Sequence, residues 1–320
     1  MTRLRRAVLL GALLALLAAG GCGGSRSEKK RTTGASTAST APAAAQPGAG
    51  KPAVTLGTKD FTEEFILGEL YGQALRAKGF RVRLVRNIGA SEITDRALGQ
   101  GRIDGYPEYT GTILTALARQ TKRPRSADDS YARAAAFERG RGMALLAASP
   151  AEDTNVIAAT PAYARRQRLR TLRDLRRLGA STVLGGPKEF RTRFAGLVGL
   201  KQAYGVSALR FRPLPIGTQY RALDRGRVQL AAVFTTDGQL SEGGYTLLAD
   251  PQKIFGFQHV TFVIRKPVLD SLGPAAAQAI NAVSAKLSTQ ALRVMNASVV
   301  LDQQAPEAVA RQFLRANGLG

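Results

Sequence analysis

The sequence lacks most of the side chains on which catalytic and metal sites depend. Its 320 residues include one cysteine (Cys22), one histidine (His259) and no tryptophan. A single cysteine excludes an internal disulfide, and a single histidine excludes a zinc site built from several histidines. GxSxG, P-loop and GxGxxG motifs are also absent from the sequence. We therefore predict a protein that is not an enzyme and that holds neither a metal ion nor a cofactor.

The sequence also lacks an apolar run long enough to cross a membrane. The longest such run, Ala7–Ala19, has 13 residues, and as a helix it would span about 20 Å, less than the hydrocarbon core. Three arginines precede it, and it ends within the small-residue segment Ala18–Cys22, which is typical of a secretion signal. Residues 1–22 resemble a lipoprotein signal, which implies lipidation of Cys22 and a protein anchored at the extracytoplasmic face of the membrane.

Residues 23–52 contain no aromatic side chain and consist mainly of Ser, Thr, Ala, Gly and Pro. Such a segment cannot bury enough apolar surface to offset its conformational entropy. We predict a flexible tether that holds a folded domain, residues 53–320, away from the membrane.

Acidic residues are scarce relative to basic ones, 23 against 46, which gives a formal net charge of +23. This balance alone would favour a nucleic-acid partner. The secretion signal argues against that partner, and the basic residues are dispersed rather than interleaved with aromatic ones. We predict no nucleic-acid binding and interpret the charge as a solvated surface that anionic lipid would attract.

From Ala53 onward, predicted strands alternate with predicted helices, which favours an α/β fold. The predicted strands include Val54–Leu56, Asn155–Ala159, Val228–Phe234 and His259–Ile264, and a long helix is predicted over Ala275–Val300.

Two pairs of similar segments suggest two similar halves. Ala97–Thr112 resembles Ala222–Asp237, and each contains an Ala-Leu pair, a Gly-Arg pair and an aromatic residue followed by Thr. Leu56–Phe61 resembles Leu184–Phe190, and each ends in Lys, an acidic residue and Phe. We predict one lobe over residues 53–157 and 259–320 and a second lobe over residues 158–258.

Four segments resemble the solute-binding proteins of ABC importers for glycine betaine, choline and carnitine: residues 56–70, 101–112, 187–205 and 226–240. The resemblance implies a type II periplasmic-binding-protein fold, in which two α/β lobes joined by two crossovers close on a ligand. It also implies a monomer that delivers a betaine-like quaternary amine to the permease and ATPase subunits of an importer.

The resemblance assigns nine residues to the ligand site. Lys59, Thr112 and Arg193 match positions that hold the ligand carboxylate, and Tyr109 and Phe234 match positions of the aromatic cage around the ammonium. Around Asp153 and Asn155, where relatives often carry a cage tyrosine, this chain has none. The remaining candidates are Gln258, which lies near a further matching position, and Tyr220, a candidate replacement for the missing ring.

Other interpretations stay open at this stage. Tyr109, Phe234 and Tyr220 could pack in a core, and Lys59 and Arg193 could be solvated surface charges. The chain could bind a different carboxylated solute, act as a lipid-anchored enzyme, or adhere to acidic wall polymers.

Overall fold

A computed structural model of the chain describes residues 46–320. The predicted signal, Cys22 and the tether up to residue 45 lie outside these described residues. Residues 46–52, which the sequence assigned to the tether, pack on the folded domain. The backbone N–H of Gly48 donates to the carbonyl of Lys78 at 2.8 Å, and a Cβ at Gly48 would stand 2.3 Å from the backbone nitrogen of Phe80. Packing therefore begins upstream of Ala53.

Two five-stranded mixed sheets organise the described residues. The strands, in chain order, are β1 (Val54–Gly57), β2 (Val82–Val85), β3 (Gly105–Tyr109), β4 (Met143–Leu145), β5 (Asn155–Ala159), β6 (Val183–Gly186), β7 (Arg210–Pro213), β8 (Leu230–Phe234), β9 (Thr246–Leu248) and β10 (Val260–Arg265). The first sheet has the order β2-β1-β3-β10-β4, and the second has the order β7-β6-β8-β5-β9.

The two sheets have the same topology, which explains the paired sequence segments. In each sheet a central strand pairs in parallel with two neighbours: β1 with β2 and β3, and β6 with β7 and β8. In each sheet the fourth strand is antiparallel to its neighbours: β10 to β3 and β4, and β5 to β8 and β9. The Lys-acid-Phe segments follow the equivalent strands β1 and β6, and the aromatic-Thr pairs end the equivalent strands β3 and β8.

Helices cover both faces of each sheet. They are α1 (Thr62–Ala77), α2 (Ser91–Gly99), α3 (Thr110–Thr112), α4 (Ala127–Gly140), α5 (Pro161–Gln167), α6 (Gly199–Tyr204), α7 (Gln219–Asp224), α8 (Lys266–Leu272), α9 (Pro274–Lys286), α10 (Thr289–Val300) and α11 (Pro306–Ala316). Shorter 3-10 turns span Leu172–Arg177, Lys188–Arg191 and Gly238–Glu242, and π-helical turns span Ile113–Leu117 and Phe194–Val198. Within residues 46–320, no helix is long and apolar enough to cross a membrane.

Each sheet lies between two apolar clusters, one on each face. In the first sheet, α1, α9, α10 and α11 cover one face, and α2, α4 and the turn after α3 cover the other. In the second sheet, α5, α6 and the turns beside them cover one face, and α7 covers the other. We call each sheet with its helices the first and the second lobe. Burial on both faces explains why β8 and β10 are almost wholly apolar.

The chain passes between the lobes twice, once between β4 and β5 and once between β9 and β10. The two crossovers run side by side: the backbone N–H of Asp153 donates to the carbonyl of Gln258 at 3.0 Å, and Glu152 forms an antiparallel bridge with His259. The predicted return of the chain to the first lobe through His259–Ile264 is confirmed by the pairing of β10.

Three features differ from the sequence-based prediction. The single helix predicted over Ala275–Val300 is wrong, because Leu287 leaves the helical conformation and the Ser288 side chain caps a new helix by accepting from the N–H of Ala291. The edge strands β4 and β9 were not predicted, since three residues are too few to show a period. The predicted lobe boundary near residue 157 falls within β5, whose pairing assigns it to the second sheet.

One buried carboxyl in the first lobe makes stability depend on pH. The Glu138 side chain on α4 is fully buried, and neither of its oxygens has a hydrogen-bond partner. Burial raises the pKa of Glu138 to about 7, although Arg141, 3.6 Å away, opposes the rise. A carboxyl whose pKa is raised by folding stabilises the fold below its unfolded pKa and loses that contribution as the pH rises through its folded pKa.

Glu138→Gln should therefore flatten the decline in stability between pH 6 and pH 8.5. With an unfolded pKa of about 4.3 and a folded pKa of about 7, the wild type should lose roughly 1 kcal/mol more than the variant over this interval. Urea unfolding of both proteins at the two pH values measures the difference. Equal slopes in the two proteins would show that Glu138 titrates normally.

Candidate functional site

A cavity of about 390 Å³ lies between the lobes, where the parallel strands of both sheets end. The carboxyl ends of parallel strands are where open α/β sheets place ligands. Eight of the nine residues predicted from the sequence line this cavity: Lys59, Tyr109, Thr112, Asp153, Asn155, Arg193, Phe234 and Gln258. The fold thus brings together residues that are up to 199 positions apart in the chain.

Lys59, the predicted carboxylate clamp, has carboxylate partners within the protein. Its ammonium is 2.5 Å from Glu108 Oε1 and 3.3 Å from Glu64 Oε1, and all three side chains are buried. Although burial lowers the pKa of Lys59, the Glu108 and Glu64 carboxylates raise it above its ordinary value. Burial raises the pKa of Glu64 to about 8, and the Lys59 ammonium opposes the rise. The Lys59 ammonium is therefore paired within the protein before any ligand binds.

Tyr109, the predicted cage residue, presents its ring to the same lysine. The Lys59 ammonium lies 4.1 Å from the centroid of the Tyr109 ring, within the range of a cation–π contact. The Tyr109 hydroxyl donates to Glu63 Oε1 at 2.7 Å. The ring is 5% exposed, so one of its faces and its hydroxyl are already engaged by the protein.

Thr112 and Gln258 are held by each other. Gln258 Oε1 accepts from the Thr112 backbone N–H at 2.9 Å and from its hydroxyl at 3.2 Å. This pair joins the last residue of α3 to the second crossover. Both residues line the cavity, and their mutual hydrogen bonds hold the part of the cavity wall beside the crossovers.

Arg193 lines the cavity and contacts the first lobe. Its Nη2 donates to Glu92 Oε2 at 2.8 Å, which forms an ion pair between the lobes. Its Nε is buried and has no acceptor. A carboxylate matches the donors of a guanidinium, so Arg193 is a cationic group of the second lobe that could contact an anionic end of a ligand.

A group of buried carboxyls lies where the crossovers meet the cavity. Asp153 Oδ1 accepts from the Thr236 hydroxyl at 2.7 Å. Glu63 accepts from Tyr109 and, at 2.7 Å, from the Asn296 amide. Burial raises the pKa of both carboxyls, and their mutual repulsion contributes to the rise for Asp153.

Two phenylalanines from opposite lobes stack at the cavity. The rings of Phe61 and Phe234 have centroids 6.4 Å apart and planes inclined by 8°, and both line the cavity. Phe61 was not among the predicted ligand residues. Its signal was present in the sequence, because Phe61 ends the Lys-acid-Phe segment that follows β1.

Tyr220 does not line the cavity, unlike the other predicted residues. It is 4% exposed in the apolar cluster beneath α7, its ring packs edge-on against Tyr245, and its hydroxyl donates to Asp237 Oδ2 at 2.9 Å. This position does not support the prediction that Tyr220 replaces a missing cage ring, because helix α7 places the ring in the apolar cluster and not at the cavity. Phe190, the counterpart of Phe61, lines the cavity but is also mostly buried, against Phe211 and Phe255.

Comparison with known proteins identifies the family. Residues 52–316 match the family model for the substrate binding domain of ABC-type glycine betaine transport systems. The chain belongs to this family. A glycine-betaine-binding protein of Pseudomonas aeruginosa is 28% identical over 275 residues, which cover 82% of this chain and 88% of that protein. The glycine betaine-binding protein YehZ of Escherichia coli is 26% identical over 277 residues, which cover 83% of this chain and 90% of that protein.

A crystal structure of a glycine betaine/carnitine/choline ABC transporter protein has the same fold. It aligns with a TM-score of 0.68 and 22% identity over 83% of this chain and 99% of that one. The expected type II periplasmic-binding-protein fold is thereby confirmed. Family membership makes the chain an extracytoplasmic substrate-binding protein of an ABC importer rather than an enzyme, with permease and ATPase subunits as its partners.

The buried position of Lys59 leads to a stability prediction for this substrate-binding protein. Lys59→Met should destabilise it by about 3–5 kcal/mol, because the substitution leaves the Glu108 carboxylate buried without its partner. Lys59→Met combined with Glu108→Gln should recover much of that loss. Urea unfolding measures both variants. Lys188→Met is the control: Lys188 is 77% exposed, so its loss should change stability by less than about 0.5 kcal/mol. A Lys59 variant as stable as this control would show that the pair is unimportant.

Proposed function

We propose that the protein captures a zwitterionic ammonium solute of the glycine betaine type between its lobes. The observation that carries the proposal is the content of one cavity: an aromatic pair, the Asp153 carboxyl and the Arg193 guanidinium. A quaternary ammonium donates no hydrogen bond and is attracted by aromatic faces and negative charge. A carboxylate at the other end of the ligand would accept from Arg193.

The proposed ligand set differs from the set inferred from the sequence. Arg193 keeps the role of carboxylate donor, whereas Lys59 and Thr112 have partners within the protein and instead shape the wall. Phe61 joins Phe234 as an aromatic contact, and Tyr220 is left out. Asp153, Asn155 and Gln258 remain in the set as polar residues of the cavity wall.

Contacts between the lobes support a ligand-dependent closure. The Phe61–Phe234 stack and the Arg193–Glu92 ion pair both cross the cleft, and the two crossovers lie together at its base. A ligand that contacts both Arg193 and the first lobe would favour the closed arrangement by its differential affinity for it.

Calorimetry of the purified full chain with glycine betaine and choline tests the proposal. Choline has the same ammonium but no carboxylate, so it should bind at least tenfold more weakly, since a charged hydrogen bond contributes roughly 1.5–3 kcal/mol. Arg193→Gln should narrow this gap. Glu92→Gln removes the ion pair between the lobes but keeps the Arg193 donors, so the gap should persist in it. Choline binding as tight as betaine binding would contradict the assignment of Arg193.

A second candidate ligand is a different carboxylated solute. It is favoured by the absence of tyrosines around Asp153 and Asn155 and by the position of Lys59 over the Tyr109 ring. Adding carnitine, proline and other amino acids to the calorimetric panel separates the two candidates. Tight binding of a solute that lacks an N-methyl group, with weak binding of every betaine, would favour the second.

We also propose that Cys22 is lipidated and holds a monomer at the membrane through residues 23–45. The support is the sequence of basic residues, apolar run and Ala-Gly-Gly-Cys22. More than one acyl chain is needed for stable anchoring, as the lipoprotein resemblance implies. Cys22→Ser should abolish labelling by a fatty-acid probe and release the protein from membranes, while the betaine affinity of the purified protein stays unchanged. Labelling that persists in Cys22→Ser would exclude this anchor.

A further inference from the structure

The Asp153 side chain differs from the other buried acidic groups near the cavity. It lies in the first crossover, where its backbone N–H is fixed by the Gln258 carbonyl, and it is 6% exposed. Its Oδ1 accepts from Thr236. Its Oδ2 has no hydrogen-bond donor among the described residues, and the side chain lines the cavity. A carboxylate oxygen therefore faces the cavity without a partner.

The neighbouring carboxyls Glu63 and Glu108 have partners within the protein, although Glu108 Oε2 has none. Glu63 accepts from Tyr109 and Asn296, on one oxygen each. Glu108 pairs with the Lys59 ammonium. Neither Glu63 nor Glu108 lines the cavity. Asp153 is thus the member of this group that can contact a bound solute.

We infer that the Asp153 carboxylate contacts the ligand's ammonium directly, in place of an aromatic face, and that the cleft therefore favours an ammonium that keeps an N–H bond over a fully methylated one. The inference rests on the proposed function, because it takes an ammonium solute to occupy the cavity. An aromatic face attracts a methylated ammonium as well as any other, since the contact needs no hydrogen. A carboxylate oxygen forms a charge-assisted hydrogen bond only with an N–H group.

The charges around Asp153 also link ligand binding to protons. Glu63 on α1 and Asp237 after β8 repel its negative charge, Lys59 after β1 attracts it, and the Tyr109 hydroxyl from β3 is engaged with Glu63. Burial, followed by Glu63 and Asp237, raises the pKa of Asp153 well above its ordinary value. A bound ammonium would favour the ionised form and release a proton, so cation affinity should increase as the pH rises through that pKa.

The experiment compares N,N-dimethylglycine with glycine betaine, using the purified full chain. The two zwitterions share a carboxylate, and they differ in that one N-methyl group of betaine is replaced by hydrogen. Calorimetry gives the dissociation constant of each zwitterion, and we compare the ratio of the betaine value to the dimethylglycine value. This ratio should be about tenfold larger in the wild type than in Asp153→Asn, because the variant loses one charge-assisted hydrogen bond to dimethylglycine. A ratio that Asp153→Asn changes by less than about twofold would overturn the inference while the proposed function stands. If the wild type binds neither zwitterion, the proposed function fails and the inference fails with it.

Asp302→Asn is the matched control, because Asp302 is an exposed carboxylate after α10 that does not line the cavity. It should leave the ratio unchanged, and an equal change in both variants would indicate a general charge effect and overturn the inference.

Proton release on betaine binding provides a second readout, measured at pH 7 in two buffers of different ionisation enthalpy. We expect up to about one proton released per ligand by the wild type and less by Asp153→Asn. If Asp153→Asn does not fold, tighter binding of betaine than of dimethylglycine by the wild type overturns the inference alone.

Discussion

The buried ion pair between Lys59 and Glu108 determines which groups of the cleft remain available to a ligand. It joins the ends of the adjacent parallel strands β1 and β3, and it places an ammonium on the face of Tyr109. A ligand ammonium in the same place would meet a like charge in a desolvated site, which is unfavourable. The same ammonium lies 5.6 Å from the centroid of the Phe61 ring, so Phe234 and Asp153 are the groups of the proposed ammonium site that lie outside its cation–π contacts.

Because the two sheets share one topology, equivalent segments of both lobes reach the cleft, but their side chains differ in burial and contacts. Equivalent strands end at the cavity from opposite sides, so each Lys-acid-Phe segment reaches it. In the first lobe Lys59 is buried and Phe61 stacks on Phe234 at the cavity, whereas in the second lobe Lys188 is 77% exposed and Phe190, which also lines the cavity, is buried against the core. The same topology thus supplies an internally paired lysine on one side of the cavity and the Arg193 guanidinium on the other.

The sequence predicted the topology better than it predicted the contacts of the site. Periodicity and the repeated segments located most strands, and the motifs placed eight of nine residues at one cavity, because chain order and strand ends follow from local patterns. Pairings between distant side chains have no local signal. Glu108 follows Lys59 by 49 positions, and only the β1–β3 pairing brings the two together. The inward direction of Tyr220 similarly depends on the packing of α7 against β8.

The charge of the whole chain gives a misleading picture of its interior. The formal net charge is +23, yet the buried charged residues among positions 46–320 are six acids and one lysine: Glu63, Glu64, Glu69, Glu108, Glu138 and Asp153 against Lys59. Basic residues are therefore on the surface, where solvent screens them, and acidic groups are concentrated inside, where low polarity strengthens their field. Four of the six acids, Glu63, Glu64, Glu108 and Asp153, belong to the group around Lys59 and the crossovers. A cation that enters the cleft thus meets acidic side chains that it can help to ionise rather than basic ones, so the sign of the surface charge does not indicate the sign of the ligand.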